Sequence, residues 1–437
     1  MNRADPKTLL IDIYQAAVAA VAPGPVLVRA LQNEPVDDRV WLIALGKAAH
    51  PMAEAAVRVL AGRGIQGFEG HPPAGGLIVA PVGGPAPHPS IVVAVGDHPE
   101  PGAGSLAAAD RLGRLVEQMA PGDTVWVLLS GGTTSLIGAP QPGIAPLELK
   151  ALYAQLLRSG LDIKEMNRIR KRFTRWGAGR LARSLAHARV RCYIVSDVIG
   201  DDLAAIGSGP CVPDPTTARE IREALVRAGL WDGLGKSIRQ HLNDVERGLV
   251  PETPKPGDPI FDRVESRLIA TNRLALDAAG RRASEAGLVP RIIDLPLAGE
   301  AAIAGGRIAA TLLDGSREDG TSRCLIIGGE TTVTIGDRGA GSGGRCQELA
   351  LAAARALRGA PRWIALLAGG TDGRDGPTDA AGAVVDGTTW EHIEAAGRDP
   401  ESDLQHHDSY AALLSADALI KTGPTGTNVM DIVIGLK

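Results

Sequence analysis

Short, uniformly apolar runs alternate with alanine-rich amphipathic stretches along most of this chain. Val40-Trp-Leu-Ile-Ala-Leu45, Thr124-Val-Trp-Val-Leu-Leu129, Cys192-Tyr-Ile-Val195, Leu325-Ile-Ile327 and Trp363-Ile-Ala-Leu-Leu367 are too short for helices and lack polar alternation. They read as strands buried on both faces. Gly76–Ala80, Ser266–Ala270 and Val289–Ile293 are further strand candidates. Pro6 to Val21 has helical spacing, with Leu9, Leu10, Ile13, Ala17 and Val21 on one side. Helical segments follow the strands at Ala48–Leu60, Asn272–Ala286, Glu300–Leu313 and Gln347–Leu357. This βα alternation predicts an α/β protein whose mainly parallel, Rossmann-like sheets are flanked by helices. Glu246 to Pro259 carries four prolines and few apolar residues, the composition of a stiff linker. The expected layout is an N-terminal domain over 1–245, a linker over 246–259 and a C-terminal domain over 260–437.

Composition narrows the class. A chain of 437 residues has room for two or three cores. A net charge of −4 argues against nucleic acid as the main partner, because phosphate backbones select basic faces. Aromatics are 3%, so Ala, Val, Leu and Ile must build the core. The four cysteines, at 192, 211, 324 and 346, lack Cys-x-x-Cys spacing, which argues against a zinc knuckle or a disulfide framework. No stretch approaches the roughly 20 apolar residues of a membrane span, and the N-terminus lacks a secretory pattern. The expectation is a cytoplasmic enzyme with neither membrane nor nucleic-acid partner. Oligomeric state stays open, a homodimer among the options.

Chemistry concentrates where apolar runs end. After Trp363–Leu367, the loop Ala368–Gly382 delivers Asp372, Asp375 and Asp379 among glycines. Clustered carboxylates attract a hard cation such as Mg²⁺, which commonly shares its site with substrate phosphates. Four more runs end in small or charged residues: Gly46-Lys47, Ser130-Gly131-Gly132, Ser196-Asp197 with Ser208-Gly209 beyond it, and Gly328-Gly-Glu330. In open α/β sheets ligands bind at the carboxyl ends of strands. The basic stretch Leu161–Ala186 reads either as a solvated helix face or as an electropositive wall. A Walker A loop is absent, and no Gly-x-Ser-x-Gly elbow is present. Gly339–Gly344 matches Gly-x-Gly-x-x-Gly after an expected strand at Thr332–Ile335. The turn is too long, however, and no acid stands between Glu348 and Asp372 to bind a ribose. The segment therefore reads as a loop presenting Arg345 at a helix start, where it suits a carboxylate or phosphate.

Taken in order, Gly46-Lys47, Leu129–Gly132, Arg168–Lys171, Ser196–Asp202, Ser208–Pro210, Pro213–Thr217, Gly328–Thr332, Gly343–Glu348, Gly370–Asp379 and Thr422–Asn428 resemble the glycerate 2-kinase family. Its C-terminal part is the MOFRL domain, here about 322–432. The resemblance runs nearly the whole chain. It implies two α/β domains with the active site in the cleft between them, and ATP-dependent, Mg²⁺-assisted phosphorylation of D-glycerate to 2-phosphoglycerate. Under this resemblance Arg345 takes the substrate carboxylate and Lys47 the transferring phosphoryl group. Asp197 is the base or a Mg²⁺ ligand, with Asp372 and Asp375 as the other metal candidates. Ser130, Gly131, Gly132, Ser208 and Gly209 offer phosphate contacts, and Glu330 stands near the substrate or pairs with Arg345. Some family members carry the label hydroxypyruvate reductase, an NAD(P)H-dependent activity that is the alternative. Two positions depart from the usual pattern: Cys346 and Met430 stand where the family generally has asparagine.

Overall fold

The computed structural model describes residues 5–32, 39–62, 70–314, 323–336 and 341–437. The chain divides into two compact units, Pro23–Ile269 and Met1–Ala22 together with Ala270–Lys437.

The first unit is built on strands β1 (Val40–Leu45), β2 (Gly75–Ala80), β3 (Ile91–Val95), β4 (Thr124–Leu129), β5 (Arg189–Val195) and β6 (Val264–Ala270). They form an all-parallel sheet in the order β3-β2-β1-β4-β5-β6. The order reverses between β1 and β4, the position where doubly wound sheets open a crevice at their carboxyl ends. Register levels those ends. Leu45 lies opposite both Val79 and Leu129, and Leu129 opposite Ile194. The loops after β1, β4 and β5 therefore start side by side. β1, β2 and β4 are buried along their whole length, as the unbroken apolar runs require.

Four helices, Pro146–Arg158, Ile163–Phe173, Ala218–Arg227 and Lys236–Glu246, share a second apolar core around Leu152, Phe173, Leu225 and Leu242. The basic stretch faces solvent only in part: Lys164 is exposed, and Arg168, Arg170, Arg175 and Arg183 are half-buried. Lys171, Arg172 and Arg180 are buried. Lys171 Nζ lies 3.1 Å from Asp214 Oδ1. Arg172 pairs with Glu252 and donates to Thr253 Oγ1 at 3.0 Å. Arg180 Nη2 donates to the Arg172 carbonyl at 2.8 Å. These bonds correct the expected linker. Glu252 and Thr253 are tied into this cluster, and the Asp214 N–H donates to the Pro254 carbonyl at 2.9 Å. β6 then closes the sheet edge, so the division falls at 269/270 rather than at 246–259. Proline content had stood in for flexibility, but buried charge holds the segment in place.

The second unit carries β7 (Val289–Ile292), β8 (Arg323–Gly329), β9 (Ala365–Gly370), β10 (Gly382–Asp386), β11 (Leu419–Ile420) and β12 (Asp431–Leu436), ordered β11-β10-β9-β12-β8-β7. Only β7 and β8 pair in parallel; β8–β12, β12–β9, β9–β10 and β10–β11 are antiparallel. The expectation of mainly parallel sheets thus holds for the first unit and is corrected for the second. The connection from β9 to β10 holds no helix, and parallel neighbours need a crossover of a dozen or more residues, usually helical. β12 enters between β8 and β9 with Asp431 opposite Gly329 on one side and Gly370 on the other. Helix Pro6–Ala20 belongs to this unit and buries Leu10, Ile13, Tyr14 and Ala17. No single helix among the described residues is long and apolar enough to cross a membrane.

Burial alone would raise the Asp214 carboxyl, but the Lys171 ammonium and the Thr216 hydroxyl and amide outweigh it and hold it below its usual range. Its folded value therefore lies below an unfolded value of about 3.9. Its stabilisation is present above about pH 4 and is lost as pH falls through the folded value. Asp214→Asn strands Lys171 without its carboxylate and leaves Arg172 with Glu252 alone. It should cost about 3–5 kcal/mol at pH 7 by urea unfolding and flatten the acid limb of the stability curve. An unchanged urea midpoint would show that the cluster carries no weight.

Candidate functional site

At the β1/β4 switch point the loops interlock where side chains are missing. Gly46 has φ +117°, and a Cβ there would lie 2.2 Å from Ser130 Oγ. Ser130 Oγ accepts from the Ala48 N–H at 3.0 Å, and the Lys47 N–H donates to the Gly131 carbonyl at 2.9 Å. A Cβ on Gly131 would sit 1.8 Å from Asp197 Oδ2. One on Gly132 would sit 3.4 Å from Lys47 Cγ and 3.6 Å from His98 Cε1. Lys47, His98 and Asp197 thus surround the Gly131-Gly132 backbone. Burial raises the Asp197 carboxyl above its usual value against the opposing pull of Lys47. Desolvation and then the Lys47 charge hold His98 below its usual value, and its Nδ1 lies 2.9 Å from Ser135 Oγ. Gly207, Ser208 and Gly209 all have positive φ, and Ser208 Oγ is 2.8 Å from Thr134 Oγ1. Asp202 accepts from the Ala204 N–H at 2.9 Å and so acts as a turn cap. This cluster is a cation, a desolvated carboxylate and close-packed glycine backbone, a setting suited to phosphate and to proton transfer.

In the second unit the ends of β8 and β9 meet the start of β12. Arg345 opens helix Arg345–Leu357. Its Nε and Nη2 donate to Asp431 Oδ2 and Oδ1 at 2.6 and 3.1 Å. Its Nη1 lies 2.5 Å from Glu330 Oε1. Burial alone would lower the Arg345 value, but the bonds and charges of Asp431 and Glu330 raise it. Asp375 accepts from the Cys346 and Gln347 N–H groups at 3.0 and 2.7 Å and from Gln347 Nε2 at 2.9 Å. Its carboxylate braces the helix start, and burial pushes its value up to about 6. Asp372 Oδ1 accepts from the Arg374 N–H at 3.0 Å. Asp379 is exposed and accepts from Tyr410 and Lys421 at 2.8 and 3.0 Å. Beneath the loop, buried Tyr14 donates to the Gly370 carbonyl at 2.6 Å.

Lys47, Asp197, Ser130, Gly131, Gly132, Ser208 and Gly209 come together in the first unit. Arg345, Glu330, Asp372 and Asp375 come together in the second. Among the described residues no group of three or more His, Cys, Asp or Glu side chains is placed to hold a metal ion. Each oxygen of Asp375 already accepts from an amide N–H at the helix start, so any metal would have to share the carboxylate with that brace. Asp197 in the first unit and Asp372 in the second each offer a single carboxylate, the hard oxygen donor that Mg²⁺ takes. Gly339 and Ala340 of the Gly339–Gly344 segment lie outside the described residues. Thr332 makes a single bridge to Glu300, so the expected strand at Thr332–Ile335 does not form.

Sequence reasoning missed Asp431 and Tyr14. Asp431 left one signal, an acid at the head of an otherwise apolar run. The two departures sit beside it. Cys346 is buried, and its thiol, pushed well up by burial and by the Asp431 and Asp375 charges, is within hydrogen-bond reach of Asp431. It keeps a weak donor where the family has an amide. Met430 has φ +70°, a region that Asn enters far more readily.

Family models match residues 9–243, described as a domain of unknown function (DUF4147), and residues 323–431, the MOFRL family. The chain is 38% identical to a D-glycerate 2-kinase of Thermotoga maritima, covering 98% of each. It is 36% identical to an Agrobacterium vitis protein provisionally named a hydroxypyruvate reductase, over 99% of this chain and 94% of that one. A crystal structure of glycerate kinase from Thermotoga maritima superposes with a TM-score of 0.87 at 38% identity, covering 98% of this chain and 99% of the other. With its DUF4147 and MOFRL regions in sequence and its fold in common with a solved member, the chain belongs to the glycerate kinase family.

Proposed function

We propose that this protein is an ATP-dependent D-glycerate 2-kinase. The observation that carries the reading is the packing of Lys47 and Asp197 around Gly131-Gly132 at the sheet's switch point. It occurs in a chain 38% identical to a D-glycerate 2-kinase over 98% of its length.

Phosphoryl transfer asks for alignment and charge neutralisation more than for covalent chemistry. The glycerate 2-hydroxyl oxygen forms a bond to the γ-phosphorus as the β–γ bridging bond breaks and ADP leaves. The hydroxyl proton goes to Asp197, whose raised value makes it a better acceptor than an ordinary aspartate. Lys47 follows the charge that develops on the transferring oxygens. The Ser130–Gly132 and Ser208-Gly209 backbone offers N–H groups to phosphate. Arg345 binds the glycerate carboxylate. Mg²⁺, when bound through Asp372 or Asp197, supplies charge neutralisation at the phosphates.

The reductase alternative has the name of the Agrobacterium relative in its favour. Against it, no strand leads into the glycine motif, and no acid follows at the next strand end. The test is ATP consumption with D-glycerate set beside NADH and NADPH oxidation with hydroxypyruvate. ADP formation with glycerate and no nicotinamide turnover is expected; the reverse pattern overturns the proposal.

Lys47→Ala should lower kcat by about 10²-fold or more, the scale of removing one preorganised charge, while near wild-type turnover would sink its role. Gly131→Ala drives a methyl into the Asp197 carboxylate. A loss of kcat comparable to that of Asp197→Asn is expected, with urea stability of the alanine variant measured alongside to separate misplacement from unfolding.

A further inference from the structure

Arg345 holds two carboxylates that differ in every physical respect. Asp431 is 2% exposed, heads β12, and lies in register between Gly329 and Gly370. It engages Nε and Nη2 together, the edge-on fork that fixes a guanidinium plane. Glu330 is 40% exposed, and its ion pair with Arg345 is made at Nη1. Its main chain is tethered, since its N–H donates to the Leu297 carbonyl at 3.0 Å. The main chain at 330 is thus held independently of the side chain's contact with Arg345. Arg345 itself is 36% exposed, so its outer edge is open to a ligand while its inner edge is not.

We propose that Asp431 is the fixed positioning residue for Arg345, and that Glu330 is an internal stand-in which the substrate's carboxylate displaces. The inference rests on the kinase reading for the identity of the substrate. A small hydroxy acid then meets a guanidinium already locked in plane, and binding exchanges one carboxylate for another. The exchange conserves charge pairing at Arg345. It also makes Glu330 a specificity device: a neutral polyol cannot replace it, so the pair stays closed against such ligands.

Calorimetric titration of the full-length protein with D-glycerate, without ATP, tests this. Glu330→Gln removes the competing charge. Its Kd for glycerate should fall about two- to fivefold, the scale of a partly exposed ion pair. Asp431→Asn frees the inner edge of Arg345 and should raise Kd at least about tenfold. ATP affinity, titrated separately, should hold in both. Unchanged or weaker binding by Glu330→Gln overturns the stand-in role. Unchanged binding by Asp431→Asn, with its fold checked by circular dichroism, overturns the positioning role, and the Glu330 arm stands even where that variant misfolds. A wild-type protein that binds no glycerate at all would instead defeat the kinase reading.

Discussion

Both chemical clusters in this protein depend on main chain approaching closer than a Cβ permits. At the end of the parallel sheet, Gly46 lies against Ser130 and Gly131 against the Asp197 carboxylate. In the mixed sheet, Gly328 lies against the Asn272 amide and Gly344 against the Asp375 carboxylate. Each glycine lets a polar side chain from a neighbouring loop occupy the space its own side chain would fill. Strand register then decides which loops meet. In each unit, carboxylates and cations consequently gather at one end of the sheet without any loop having to be long.

Buried charge does the complementary work. Isolated charges removed from water are costly, and they persist only when paired and hydrogen-bonded. Arg172 and Lys171 answer Asp214 and Glu252 in the first unit, and Arg345 answers Asp431 in the second. The first cluster spends its buried cations on carboxylates, main-chain carbonyls and a hydroxyl, so it serves the fold. The second leaves one edge of its guanidinium toward solvent. That difference separates a brace from a binding group, although both are arginines at helix positions.

Much of this was legible in the chain. Unbroken apolar runs marked β1, β4, β5, β8 and β9, because strands buried on both faces have no polar side to alternate with. The loops that follow them carried most of the chemistry. Less legible was anything set by pairing partners. The mixed sheet was hidden because β12 and β8 are equally apolar whichever way they run. The Pro-rich segment 246–259 looked like a linker because its anchors, Arg172 and Asp214, are far away in sequence. Asp431 was overlooked since an acid at a strand start is ordinary until register places it between two glycine ends. The acidic loop showed Asp375 as a metal candidate and hid its other task, bracing the first amides of a helix.

The measurement that bears most directly on the whole account is a ³¹P NMR spectrum of the protein incubated with D-glycerate, ATP and Mg²⁺. A growing 2-phosphoglycerate resonance, matched by ADP, is the expected result and fixes the attacking hydroxyl as well as the reaction. A 3-phosphoglycerate resonance would contradict the placement of the substrate on Arg345 and Asp197, and a spectrum with no new phosphate ester would contradict the kinase itself.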